Sequence, residues 1–228
     1  PKMETTPEEE KAYKLLEARR IAIDAAAKFF QKNLSQAESF LRSREYSSSD
    51  KALADFGVGY APMGNVAMRQ LISDGYSQDV LTAVGILGKS EDGRVYDFFR
   101  NRVMFPFFDV SGHVIAFSGR TVASDDKCKY VNTGETSLFR KGDHIFGLYQ
   151  AKRAIARDGF VYLVEGQFDV LTLHRYGVEN VVGGSGTAFT EQQVRLIIRF
   201  TQSVVMIYDA DAAGMKAAVK NCELLLKA

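Results

Sequence analysis

The strongest constraint on the fold lies in the last third of the chain. Short apolar runs alternate there with helical patterns, and two of the runs end in acids. Val161 to Val164 leads into Glu165-Gly166, and Val204 to Tyr208 leads into Asp209-Ala210-Asp211. The spacing predicts strands at 161–165, 180–182 and 204–208, helices at 168–176 and 190–200, and a helix from there to the end. Gly177 closes one helix, and Thr190 with Gln193 can cap the next. Strands separated by whole helices cannot form hairpins, so this part is predicted to be a parallel sheet covered by helices.

Ligands of such sheets bind outside the carboxyl ends of the strands. Glu165, Asp209 and Asp211 fall at that edge. Residues two apart at a strand end point the same way, so Asp209 and Asp211 can face one ion. Asp169 falls in a first helical turn. It fits both a fourth ligand and a helix-start acid favoured by the dipole. Gathered carboxylates repel one another unless a cation holds them. A hard divalent ion, Mg²⁺ or Mn²⁺, suits an all-oxygen site that also takes substrate phosphates. The expected chemistry is metal-assisted phosphoryl or nucleotidyl transfer. Gly183-Gly184-Ser185-Gly186-Thr187 follows the middle strand. Gly184, Gly186 and Thr187 are candidates for a phosphate-binding loop, though glycines after a strand also make ordinary turns.

The upstream half is patterned differently. Leu15, Leu16, Ala18, Ile21, Ile23, Ala26, Phe29 and Phe30 predict a long helix with a buried stripe, and Ser35 with Glu38 suggests a capping box for a second. Helices are expected near 65–73 and 77–84. From about residue 94 the period falls towards two. Strands are predicted at 103–108 and 113–117, joined by a turn at Asp109-Val110-Ser111-Gly112. Arg100, Arg102 and Arg120 surround this hairpin, and Lys127, Lys129, Arg140 and Lys141 follow it.

With 228 residues and a formal charge of +1, the chain can bury a real core, and its average charge excludes nothing. Cys128 and Cys222 lack metal-ligand spacing, and His113, His144 and His174 form no zinc motif. No apolar run approaches membrane-spanning length. The chain starts at Pro1 and stops within an apparently helical run, as an excised piece of a longer protein would.

A strand ending in Glu-Gly, a Gly-rich loop and a strand ending in Asp-x-Asp together resemble the Toprim fold. The upstream blocks narrow the likeness. Phe56 to Pro62, Phe99 to Phe107, Asp109 to Arg120, Lys129-Tyr130-Val131-Asn132 and Leu138 to Gly142 resemble, in order, the motif blocks of bacterial DnaG-type primases. Cys128 departs from that pattern, standing where the family usually has proline. The family's further acidic motif lies beyond the last residue.

The resemblance implies a mixed α/β fold. Residues 1–149 would form an α+β basic subdomain binding nucleotide and template, and 150–228 a Toprim metal-binding catalytic subdomain, incomplete at its C-terminal end. It implies a cytoplasmic bacterial enzyme that makes RNA primers on single-stranded DNA from ribonucleoside triphosphates. Glu165, Asp169, Asp209 and Asp211 would hold Mg²⁺ or Mn²⁺. Arg100, Arg102, Arg120, Lys129, Tyr130, Asn132 and Lys141 would line the nucleotide and template groove. Zinc would belong only to a preceding module that this sequence does not contain. The replicative helicase and single-strand-binding protein would dock through other regions, and a guanine nucleotide bearing extra phosphates could compete for the groove. The alternatives are another Toprim enzyme, nuclease or topoisomerase-like, and a non-catalytic DNA clamp.

Overall fold

A computed structural model of the chain describes residues 6–184 and 189–227. Thr6 opens the first helix, α1 (Pro7–Lys32), through a reciprocal cap: its hydroxyl accepts from the Glu9 N–H, and its own N–H donates to the Glu9 carboxylate. Only the C-terminal half of α1 is buried, through Ala22, Ile23, Ala26, Ala27 and Phe30. Leu15 and Ile21, expected in the buried stripe, are exposed because packing against the sheet begins only at Ala22.

The expected Ser35–Glu38 capping box does not form. Ser35 lies inside a 3₁₀ turn, and the Glu38 carboxylate, at the start of α2 (Glu38–Arg42), instead accepts from the Ser48 N–H at 2.8 Å and pairs with Arg42. α3 (Lys51–Asp55) leads to β1 (Gly59–Ala61). Gly59 is required there, because a Cβ would collide with the Phe30 backbone of α1. Next come α4 (Val66–Ser73), α5 (Gln78–Ala83) and a small hairpin of β2 (Leu87–Lys89) and β3 (Val95–Asp97). β4 (Arg102–Phe108) and β5 (Val114–Thr121) form the expected hairpin. The Asp109 carboxylate ties its turn by accepting from the Ser111 and His113 N–H groups. β6 (Tyr130–Asn132) completes an antiparallel sheet of order β1-β4-β5-β6.

The second sheet follows the predicted alternation. α6 (Leu148–Asp158), β7 (Val161–Val164), α7 (Gln167–Arg175), β8 (Val181–Gly183), α8 (Glu191–Ile198), β9 (Val204–Ile207) and α9 (Ala212–Leu226) give a parallel sheet of order β8-β7-β9. β7 is the central strand, so Glu165 emerges between its neighbours' ends.

One apolar cluster joins the two sheets. Val103, Phe105 and Phe107 of β4 pack on Phe146 and on Phe168 of α7, with Phe105 and Phe168 ring centroids 5.2 Å apart and edge-on. Each buried phenylalanine contributes roughly 1.5–3 kcal/mol of apolar burial. The opposite face of the antiparallel sheet, through Met104 and Phe117, packs on Phe30 of α1. Phe168 directly precedes Asp169, so the packing that binds the sheets together also fixes an acidic side chain against the basic half. No helix among the described residues is long and apolar enough to cross a membrane.

Candidate active site

The acids converge because two β-strands stop at the same level. β7 ends at Val164 and β9 at Ile207, which are register partners, and Glu165 follows the first. The Glu165 carboxylate reaches across and accepts from the Asp209 N–H at 2.8 Å. Asp169 caps its own helix, accepting from the Gly166 N–H at 2.9 Å. Asp211 caps α9, accepting from the Gly214 N–H at 2.8 Å. Each of these three carboxylates commits one oxygen to a backbone donor. Oε2 of Glu165, Oδ1 of Asp169 and Oδ2 of Asp211 have no protein donor among the described residues.

Asp169 is exposed on one side, yet enough protein surrounds it for desolvation to raise its pKa. The Asp209 charge pushes the same way, while the Gly166 N–H and Arg44 oppose it. Among the described residues, no three acidic, histidine or cysteine side chains are gathered tightly enough to cage an ion alone. This donor set fits a hard ion of the magnesium type, which takes one or two carboxylates and completes its shell with water and substrate phosphates.

Facing the acids is a polar wall that carries one cation, Lys141. Tyr130, Asn132 and Lys141 line a cleft of about 520 Å³ whose other side is Glu165 and Asp169. Tyr130 and Asn132 are two apart on β6 and so share a face of the sheet. Arg120 is the cross-strand partner of Tyr130, and its guanidinium lies 5.2 Å from that ring. Lys141 is placed by α8. The Thr190–Gln193 capping box forms as expected, and its side chains donate to the carbonyls of Gly142 and His144. Lys129 is exposed beside Tyr130 but does not line this cleft.

Arg44 was not singled out in the sequence, where it is one arginine in a motif-free turn. Its guanidinium lies 5.4 Å from the Phe168 ring and 5.8 Å from that of Phe40, which Arg120 also approaches at 5.9 Å. The turn that holds it is over-determined. Glu45 adopts a left-handed φ of 63°, and its carbonyl accepts from Arg175 at 2.6 Å. Arg44 and Arg120 therefore form a paired basic patch beside Asp169.

The expectation that Arg100, Arg102 and Arg120 ring one groove is not met. Arg102 and Arg120 pair with adjacent register partners, so the pleat sends them to opposite faces of the sheet. Arg102 is buried: it pairs with Asp126 at 2.7 Å and donates to the carbonyls of Gly119, Cys128 and Lys129. Arg100 lies over Tyr96 and, with Arg102 and Val131, lines a separate cavity of about 530 Å³. Gly184 lines a third cavity behind Glu165. Gly186 and Thr187 lie outside the described residues.

Comparison with known proteins bears on this arrangement. A family described as the DNA primase catalytic core, N-terminal domain, matches residues 25–152, more than half of the chain. The chain belongs to the DnaG-type primase family. Residues 162–228 match a Toprim-like family. A DNA primase of Aquifex aeolicus is 35% identical over 99% of this chain and 44% of its own length. The chain thus spans less than half the length of that curated relative. The crystal structure of the zinc-binding and RNA polymerase domains of Aquifex aeolicus primase superposes with a TM-score of 0.86 at 35% identity, covering 93% of this chain and 53% of that one. A DnaG primase catalytic domain bound to single-stranded DNA gives a TM-score of 0.83 at 33% identity, over 94% and 68% of the two chains.

Proposed function

We propose that this chain is the catalytic part of a DNA-dependent RNA polymerase that makes short RNA primers on single-stranded DNA. The observation that carries this reading is the cleft in which Tyr130, Asn132 and Lys141 face Glu165 and Asp169. Residues 1–149 are read as the nucleotide- and template-binding part, and 150–228 as the metal-binding part.

Each residue has a task in this account. Lys141, Arg120 and Arg44 neutralise the triphosphate, whose charge would otherwise be repelled by the acids. Tyr130 offers a ring on which a base stacks, and Asn132 a hydrogen-bonding amide. Glu165, Asp209 and Asp211, with Asp169 beside them, would hold Mg²⁺ or Mn²⁺. Such an ion would supply Lewis-acid chemistry at the reacting phosphate and at the attacking hydroxyl. The Asp209 N–H keeps Glu165 aimed before substrate arrives, which lowers the reorganisation needed during reaction. Single-stranded DNA, ribonucleoside triphosphates and the growing primer are the proposed ligands.

The test is primer synthesis by the full-length protein on a single-stranded template with Mg²⁺. RNA products that vanish in Glu165→Gln support the reading. Template cleavage in the absence of nucleotides would replace it with a nuclease. A guanine nucleotide with additional phosphates is expected to compete with substrate, and unchanged rates across its titration would remove it as a ligand.

A further inference from the structure

Two buried oxygens next to the Lys141 cleft have no hydrogen-bond partner among the described residues. One is Oγ of Ser118, a fully buried residue, and the other is Oδ1 of Asn132. The two residues are direct register partners on β5 and β6, so their side chains rise from the same face of the sheet. On the other side, the register partner of Ser118 is Phe105, which packs edge-on to Phe168.

Ser118 thus sets a hydroxyl against the apolar layer that joins the two sheets. Ala116, two residues earlier on the same face, belongs to that layer. Packing alone favours alanine at 118 as well, because a buried polar group without a partner costs free energy. Asn132 stands across the pair and lines the cleft. Its amide carries one acceptor oxygen and two N–H donors. With Oδ1 inward, a single donor satisfies the buried end, and the Ser118 hydroxyl can supply it. Turned over, the amide would bury two donors against one hydroxyl. The inward oxygen is the better-satisfied arrangement, and it leaves the amide N–H groups to the cleft.

We propose that Ser118 is a positioning residue for nucleotide binding. Its hydroxyl donates to Oδ1 of Asn132, after a turn about χ1 or through one bridging water, and so holds the amide with its donors towards an acceptor oxygen of the nucleotide. The inference rests on the nucleotide reading of this cleft. Ser118 itself touches no substrate and acts only through Asn132.

The test is calorimetric titration of the full-length protein with ATP in Mn²⁺, without template. Ser118→Ala is expected to weaken ATP binding about fivefold, the worth of one hydrogen bond. In an Asn132→Ala background the same change alters affinity by less than about twofold, because the partner is gone. Ser118→Thr and Ser118→Val add similar bulk and differ in the hydroxyl, so the threonine variant binds ATP several-fold more tightly than the valine variant. Melting temperatures check that each variant is folded. An equal loss from Ser118→Ala in both backgrounds, or equal affinity of the threonine and valine variants, would overturn the proposal and leave the reading of the cleft intact. The expected pattern without primer synthesis would uphold the role of Ser118 and count against the polymerase reading alone. No ATP binding by the wild type would overturn both.

Discussion

The Glu165 carboxylate accepts a hydrogen bond from the backbone N–H of Asp209, 44 residues away in sequence and 2.8 Å away in space. One side chain thereby bridges the ends of β7 and β9. It fixes the first acid relative to the second, and its remaining oxygen is free for a cation. Glu165→Gln keeps the shape and removes the charge. Primer synthesis by the full-length protein is expected to fall by on the order of 10³-fold with little change in melting temperature. A large loss of stability with retained activity per folded molecule would assign the residue to the fold instead.

Gly214 makes that bridge possible. A Cβ there would overlap the Asp209 carbonyl oxygen and lie 2.8 Å from the Glu165 carboxylate. Gly214→Ala is therefore expected to displace the two acids together and to weaken Mn²⁺ binding at least tenfold, read by titration with electron paramagnetic resonance. Nucleotide-independent binding of single-stranded DNA should be unaffected.

Arg44 and Arg120 share the Phe40 ring beside Asp169. If they meet phosphates, replacing either with alanine weakens nucleotide or template binding and lowers the salt-dependence slope by about 1 for each phosphate left without its cation. Arg102→Met is the contrasting case. Its guanidinium is spent on Asp126 and three carbonyls. It is expected to lower the melting temperature by several degrees while the salt slope stays as it was. Equal slopes for all three variants would contradict the assignment of separate faces.

Two half-buried histidines set an acid limit on stability. Burial lowers the pKa of His144, stacked on Phe139, and of His174, edge-on to Phe56, below the ordinary value of 6.5. The unfolded chain then binds protons that the folded chain resists. The stability contribution is present above the ordinary value and is lost as pH falls below it towards the lowered folded values. Denaturant titrations from pH 7.5 to about 5 should show falling stability, with a shallower fall in His144→Gln and His174→Gln. Identical pH profiles for wild type and both variants would refute this.

The parallel sheet was legible because strand and helix periods differ sharply, and because Thr190–Gln193 and Gly177 carry local geometry in their own residue types. The acid edge was legible for the same reason: strand ends are local, and parallel topology places them together. Other features depend on long-range packing. The sides taken by Arg102 and Arg120 depend on pairing register, which the sequence leaves open until Arg120 is set against Val103. Arg44 acquires its meaning only when Phe168, 124 positions onward, packs beneath it. Ser35 and Glu38 matched a capping pattern, but the Ser48 N–H was a better-placed donor once the chain had folded back.

The central claim is that the acids at 165 and 209 share a divalent cation facing the Lys141 cleft. Crystals of the protein grown with Mn²⁺ and a ribonucleoside triphosphate, measured at the manganese edge, test it most directly. The account predicts an anomalous peak between the Glu165 and Asp209 carboxylates, with the triphosphate reaching from it to Lys141. No peak there, or a peak elsewhere with those carboxylates free, would contradict it.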